Sequence, residues 1–189
     1  VLAIVLIAAL ASSTTPAATE LEELLAALAA RADASLAFTE TRRSELLDEP
    51  IEVSGTLHRT QDGRLVRETT RPRATVQTLS QDHVEIRRPD GYRQRFSLDR
   101  APELRVLRQA LVALLDGDRS ALEAHFELAF DESDPSGDGG WSMRLTPLAE
   151  SALENGIELE LRGESDRLSG LTLDRNDGEA LRMRFETAQ

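Results

Sequence analysis

The stretch IEVSGTLHRTQDGRLVRETTRPRATVQTLSQDHVEIRRPDGYRQRFSL, residues 51–98, decides the fold. Ile51, Val53, Gly55 and Leu57 fall on one side of a period-2 pattern, and Glu52, Ser54, Thr56 and His58 fall on the other. That alternation is how a half-buried antiparallel strand reads. Gln61-Asp62-Gly63 is a turn, because glycine accepts positive φ without steric cost. The pattern resumes over Arg64–Thr69, breaks at Arg71-Pro72-Arg73, resumes over Ala74–Leu79, and pairs Val84 with Ile86 before the turn Pro89-Asp90-Gly91. Beyond it Tyr92, Gln94, Phe96 and Leu98 face one way, and Arg93, Arg95 and Ser97 the other. The stretch is a meander of strands joined by tight turns.

Working outward toward the N-terminus, Pro50 closes a preceding segment, Phe38–Leu47, whose faces both carry charge: Phe38, Glu40, Arg42 and Ser44 against Thr39, Thr41, Arg43 and Glu45. A strand of that kind is expected at a sheet edge, where charge discourages pairing with another chain. Before it lies a helix with Thr19 as expected cap and Glu22 three residues on. Leu21, Leu24, Leu25, Leu28, Ala32 and Leu36 form its expected apolar stripe, with Glu22, Glu23 and Arg31 off it. Val1–Ala11 is apolar and uncharged and is followed by small and polar residues. It is shorter than the roughly 20 residues a spanning helix needs, and it suits the apolar region of a secretory signal. We therefore read residues 1–18 as the remnant of an export signal, with one domain over 19–189.

Toward the C-terminus, Pro102 fits the first position of a second helix and Gly117 the residue beyond its end. Leu104, Leu107, Leu111, Leu114 and Leu115 make its stripe, and it is apolar around much of its circumference. Such a helix is either sandwiched between elements or covers a cavity. Ser120 and Glu123 have capping-box spacing for a short third helix. A second meander follows, with alternation at Phe126–Asp131, Trp141–Thr146, Ile157–Arg162, Leu171–Asp174 and Leu181–Glu186. A short helix or irregular turn is expected over 148–153. The acidic run 131–140 is dense in oxygen ligands but lacks the spacing of a calcium loop, and reads as a solvated hairpin loop. About nine or ten antiparallel strands and two long helices imply an α+β protein whose strands, on both sides of the central helix, join one large, strongly curved sheet.

Composition narrows function. The 189-residue chain carries a formal charge of −12 and a pI near 4.7, which argues against nucleic acid or an anionic lipid surface as the main partner. There is no cysteine, so disulfides, thiolate metal sites and thiol nucleophiles are ruled out. His58, His83 and His125 sit in separate elements without metal-ligand spacing. The chain has no nucleophile elbow, no dinucleotide fingerprint and no P-loop. No metal, cofactor or catalytic residue is assigned. A hydrolase built from two carboxylates stays open, because its acids can come from distant strands.

The order of elements resembles the LolA family of periplasmic carriers, which move lipoproteins from the inner to the outer membrane, and is nearest its divergent LolA-like branch. The likeness rests on the export-type N-terminus, the Leu-rich first helix, and Phe38-x-Glu40-x-x-Arg43. It continues in PIEVSGTL at 50–57, GRLVRETTRP at 63–72, DHVEI at 82–86 and WSMRLTP at 141–147. It implies a strongly curved, open antiparallel half-barrel whose concave face is covered by helices acting as a lid over lipid chains. In that family an early-strand arginine bonds to the lid, and Arg59, Arg64 and Arg67 are the matches by position. The implied protein is a non-enzymatic, monomeric carrier in the periplasm. It would take an acylated lipoprotein or other lipidic cargo from an inner-membrane donor toward an outer-membrane acceptor.

Acyl chains require only apolar area, at about 25 cal/mol per Å² buried. The candidate lining on the strands is Val53, Leu57, Leu65, Tyr92, Phe96, Trp141, Met143, Leu159 and Met183, joined by Leu107, Leu111 and Leu114 from the second helix. Alternation shows which face is apolar, not whether the space above it is empty. Two rivals to the carrier are an envelope scaffold with a solid core and a secreted hydrolase with converging carboxylates.

Overall fold

Eleven strands form one antiparallel sheet in the computed structural model, which describes residues 16–31, 35–43, 48–132, 140–150 and 156–186. The first meander comprises β1 (Leu36–Arg43), β2 (Ile51–Arg59), β3 (Leu65–Arg71), β4 (Thr75–Leu79), β5 (His83–Arg87) and β6 (Arg93–Ser97). The second comprises β7 (Phe126–Asp131), β8 (Gly140–Pro147), β9 (Glu158–Glu164), β10 (Arg167–Asp174) and β11 (Ala180–Glu186). The spatial order is β6-β5-β4-β3-β2-β1-β11-β10-β9-β8-β7. The first meander therefore runs from the middle out to one edge, the second runs from the other edge back to the middle, and the two are sewn together where β1 pairs with β11.

That seam corrects two expectations. β1 is a central strand and not an edge, since it pairs with β2 on one side and β11 on the other. Its charges do not guard an edge; Glu40 points to the covered face and finds cationic partners there. The strongly curved half-barrel is corrected as well. The sheet is open and not strongly curled, with β6 and β7 at opposite ends and no ladder between them. Curling toward closure needs a stagger that brings end strands within pairing distance. Here the end strands are joined only through helices.

The α-helices among the described residues are α1 (Pro16–Ala29), which precedes β1, and α2 (Pro102–Asp116) and α3 (Arg119–His125), which lie between β6 and β7. The chain leaves the sheet at β6 and re-enters at β7, so α2 and α3 must cross from one edge to the other. Fifteen residues of α2 span about 22 Å. Eleven strands span about 48 Å, so the crossing helices cover part of one face. Pro102 opens α2 without needing its own N–H, and Gly117 closes it in the left-handed conformation, φ 65°. A side chain at Gly117 would also press on Ala29 and the Leu25 carbonyl of α1, each 3.0 Å away.

Two helix starts differ from the sequence expectation. α1 begins at Pro16 and runs through Thr19. Proline is pre-organised for a first helical position and overrides the later cap. α3 is capped by Asp118, whose side chain accepts from the Ala121 N–H at 2.9 Å, in place of Ser120. The expected loop over 131–140 and the turn or helix over 148–153 lie largely outside the described residues.

The core lies between the helices and one sheet face. Leu21, Leu25 and Leu28 of α1 and Leu107, Leu111 and Leu114 of α2 meet Leu57, Leu65, Met143, Leu159, Leu161 and Met183. One cross-strand row reads Val53, Glu40, Met183, Leu171, Leu161, Met143, Phe130, from β2 to β7. Glu40 is its single charge.

Candidate functional site

The alternation that buries one face of each strand fails to fill the space beneath the start of α2. A groove of about 430 Å³ opens there. Leu104 and Leu107 form its helical wall. Ile51, Leu173 and Leu181 form the apolar part of the sheet wall, where β2, β10 and β11 reach their ends beside β1. Ile51 is 40% exposed at the mouth, an unusual position for a large aliphatic side chain. Glu103, Arg175 and Glu179 bring charge to the lining.

Ala180, Arg42 and Gln77 complete the lining, and the last two connect it to a buried polar cluster. Glu40 is fully buried, with Arg42 ion-paired to Oε1 and an Arg67 terminal nitrogen donating to Oε2 at 2.8 Å. The other terminal nitrogen of Arg67 donates to Gln77 Oε1 at 3.2 Å, and its guanidinium carbon lies 4.7 Å from the Phe38 ring centroid. Burial lowers the Arg67 pKa from its ordinary value; Glu40 pulls upward and Arg42 downward. Arg67 Nε has no hydrogen-bond partner among the described residues. Removing water from the Glu40 and Arg67 charges is repaid only by such converging contacts. The cluster joins β1, β3 and β4 beneath the groove.

The arginines expected near the helices go to three different places. Arg59 reaches Asp116, the last residue of α2, at 2.9 Å. Asp116 stands at the negative end of the helix dipole, so this cation offsets an unfavourable charge. Arg64 pairs with Asp62 inside its own turn at 2.7 Å, and Arg67 is taken into the Glu40 cluster. Arg108 of α2, a residue the sequence reading did not single out, approaches the Gly63 carbonyl at 3.5 Å.

Of the apolar candidates, Leu107 lines the groove. Val53, Leu57, Leu65, Leu111, Leu114, Trp141, Met143, Leu159 and Met183 are buried in the core and are not among its lining residues. Phe96 is half-buried on β6. Tyr92 stands outside the strand, 39% exposed, with the Arg88 guanidinium 4.2 Å from its ring centroid and its hydroxyl donating to Gln94 at 2.6 Å. The sequence reading missed Ile51, Leu104, Leu173 and Leu181 as lining and Glu40 as the pivot of a buried cluster. A carboxylate in register with the apolar Phe38 was the available signal.

The histidines do not converge. His83 Nδ1 lies 2.6 Å from its exposed chain neighbour Asp82, and His125 approaches Gln109 at 3.5 Å on the surface. Among the described residues no three His, Asp or Glu side chains form a metal-binding group. No helix among them is long and apolar enough to cross a membrane.

Residues 13–188 match the model of a family described as outer membrane lipoprotein carrier protein LolA-like. Among solved structures, similarity extends to LprF from Mycobacterium bovis, at 12% identity and TM-score 0.39, over 89% of this chain and 92% of that one. The LolA superfamily protein NE2245 from Nitrosomonas europaea is similar at 11% identity and TM-score 0.43, over 88% and 91%. The Pseudomonas aeruginosa MucA/MucB complex is similar at 15% identity and TM-score 0.42, over 89% of this chain and 56% of that one. No curated protein matches the chain.

Proposed function

Since this chain belongs to the outer membrane lipoprotein carrier protein LolA-like family, we propose that it is a periplasmic, non-enzymatic carrier of acyl chains. The observation that carries the reading is the groove of about 430 Å³ under α2, with Ile51, Leu104, Leu107, Leu173 and Leu181 in its walls. Ligand pockets run from about 300 to 1,000 Å³ and are mainly apolar with few polar groups. A lipid or acylated lipoprotein would place a chain against those walls and keep its polar part at the charged rim. α2 acts as the cover, accepting cargo from an inner-membrane donor and yielding it toward an outer-membrane acceptor.

Native mass spectrometry of protein gently extracted from the periplasm tests this reading, with a bound lipid or acylated peptide as the expected adduct. A clean apo mass, together with no uptake of a fluorescent fatty-acid probe, overturns it. Leu104→Trp fills the groove from its helical wall and is expected to weaken probe uptake at least about 10-fold, since it removes apolar burial for the ligand. Its far-UV circular dichroism should match the parent, which separates a blocked groove from a lost fold.

Arg59 is the proposed latch between strand and cover, through Asp116. Both partners are partly exposed, so the pair contributes about 0.5–1 kcal/mol. Arg59→Ala should speed probe release by roughly 2- to 5-fold in stopped-flow displacement, because the closed cover loses only that contact. An unchanged release rate would remove Arg59 from this role.

The scaffold reading draws on the packing beyond the groove. Leu111 and Leu114 are fully buried, so the second half of α2 covers a solid core. An empty native mass spectrum with a normal fold would favour that reading.

A further inference from the structure

The face of the sheet opposite the helices carries a hollow of about 370 Å³ centred on β9, β10 and β11. Its construction is set by register. Arg162, Gly170 and Arg184 stand directly opposite one another across β9, β10 and β11. In the adjacent row Arg182 stands between Thr41 of β1 and Thr172 of β10. Strands lie about 4.8 Å apart, so the two arginines flanking Gly170 are rooted about 10 Å from each other with no side chain between them.

Gly170 is not demanded by the backbone. Its φ is not positive, and a Cβ there would meet only the Met183 carbonyl at 3.7 Å, an ordinary contact. What glycine provides at this position is the hollow itself. Arg182 and Arg184 are both exposed, and among the described residues neither side chain has a hydrogen bond or ion pair. Arg162 is engaged by Glu160, at 3.0 and 3.2 Å from its two oxygens, and Glu160 also lines the hollow. In a chain of formal charge −12, two free guanidinium groups beside a cavity are a local reversal of sign.

We propose that this hollow binds a phosphate group of a soluble ligand, held by Arg182 and Arg184 with Thr41 and Thr172 at its side. Guanidinium forks and hydroxyls rooted on three strands approach from several directions, which suits a tetrahedral oxyanion better than a planar carboxylate. The acidic remainder of the surface opposes an extended anionic bilayer while leaving a small phosphate-bearing molecule free to enter. The site lies on the face away from the groove, so it stands or falls independently of the acyl-chain reading.

The test is an NMR titration of the full chain with inorganic phosphate and with glycerol phosphate, against sodium chloride at matched ionic strength. Saturable shifts of the Thr41, Gly170, Thr172 and Arg184 amides are expected, absent from the chloride series. Arg182→Gln and Arg184→Gln should each weaken binding roughly 10-fold, the scale of one charge-assisted hydrogen bond. Gly170→Val, which fills the hollow without altering charge, should also weaken it; thermal melts verify that each variant folds. Shifts that follow ionic strength alone, or that persist in both arginine variants, overturn the proposal. So does arginine-dependent flotation with phosphatidylglycerol vesicles when soluble phosphate produces no response.

Discussion

Glu40→Ala lowers the free energy of unfolding by about 3–5 kcal/mol. Among the described residues Glu40 is the only carboxylate fully enclosed by the helix-covered face, and it is shared by Arg42 and Arg67. Arg42 is 47% exposed along its side chain and can turn to water when the carboxylate goes. Arg67, at 7%, cannot, so the substitution leaves a cation in the core with Gln77 as its remaining hydrogen-bond partner. Urea denaturation reads the loss, and the melting temperature should fall by roughly 10 °C or more. The double replacement Glu40→Leu with Arg67→Leu should recover most of the stability, since a well-packed apolar pair avoids the desolvation cost altogether. A single-variant loss under about 1 kcal/mol would mean that water reaches the cluster.

Gly163→Ala is expected to cost about 3 kcal/mol through overpacking against parts that cannot yield. A Cβ at this position would stand 2.2 Å from Trp141 Cζ2 and 2.3 Å from the Arg167 carbonyl oxygen. Trp141 is held from moving away because its Nε1–H donates to the Ser165 carbonyl at 2.9 Å. The Arg167 oxygen belongs to the other arm of the β9–β10 hairpin, whose turn residue Ser165 sits at φ 51°. Adding Trp141→Leu to Gly163→Ala should restore only part of the loss, because the backbone contact remains. Equilibrium unfolding of the single and double variants measures the coupling, and a single-variant cost below about 0.5 kcal/mol would show that the hairpin shifts freely.

Both effects arise where the two meanders are joined or folded back, and the groove lies at the same seam. β1 and β11 end beside the start of α2 because the chain crosses from β6 to β7 above them. The position of α2 over the seam is thus a topological consequence of a first meander that ends at one edge of the sheet and a second that begins at the other.

Local chemistry determined much of this architecture from the sequence alone. Period-2 alternation identified the meander over 51–98, and Pro102 with Gly117 bounded α2, because strand faces and helix ends depend on neighbours within a few residues. The excess of acid and the lack of cysteine were equally legible. The β9–β10 turn at Ser165-Asp166 was not, since it carries neither glycine nor proline to announce it. Tertiary structure alone decided which strand became the centre, because β1 and β11 are separated by nearly the whole chain and their pairing leaves no local trace. It also decided the fate of three arginines with similar surroundings in sequence: one pairs with α2, one with its own turn and one with Glu40. Alternation assigns a side chain to a face. Whether that face is filled by neighbours, as at Leu111 and Met143, or left open, as at Leu104 and Leu181, depends on how closely a distant helix approaches, and that distance is set by packing across the whole sheet.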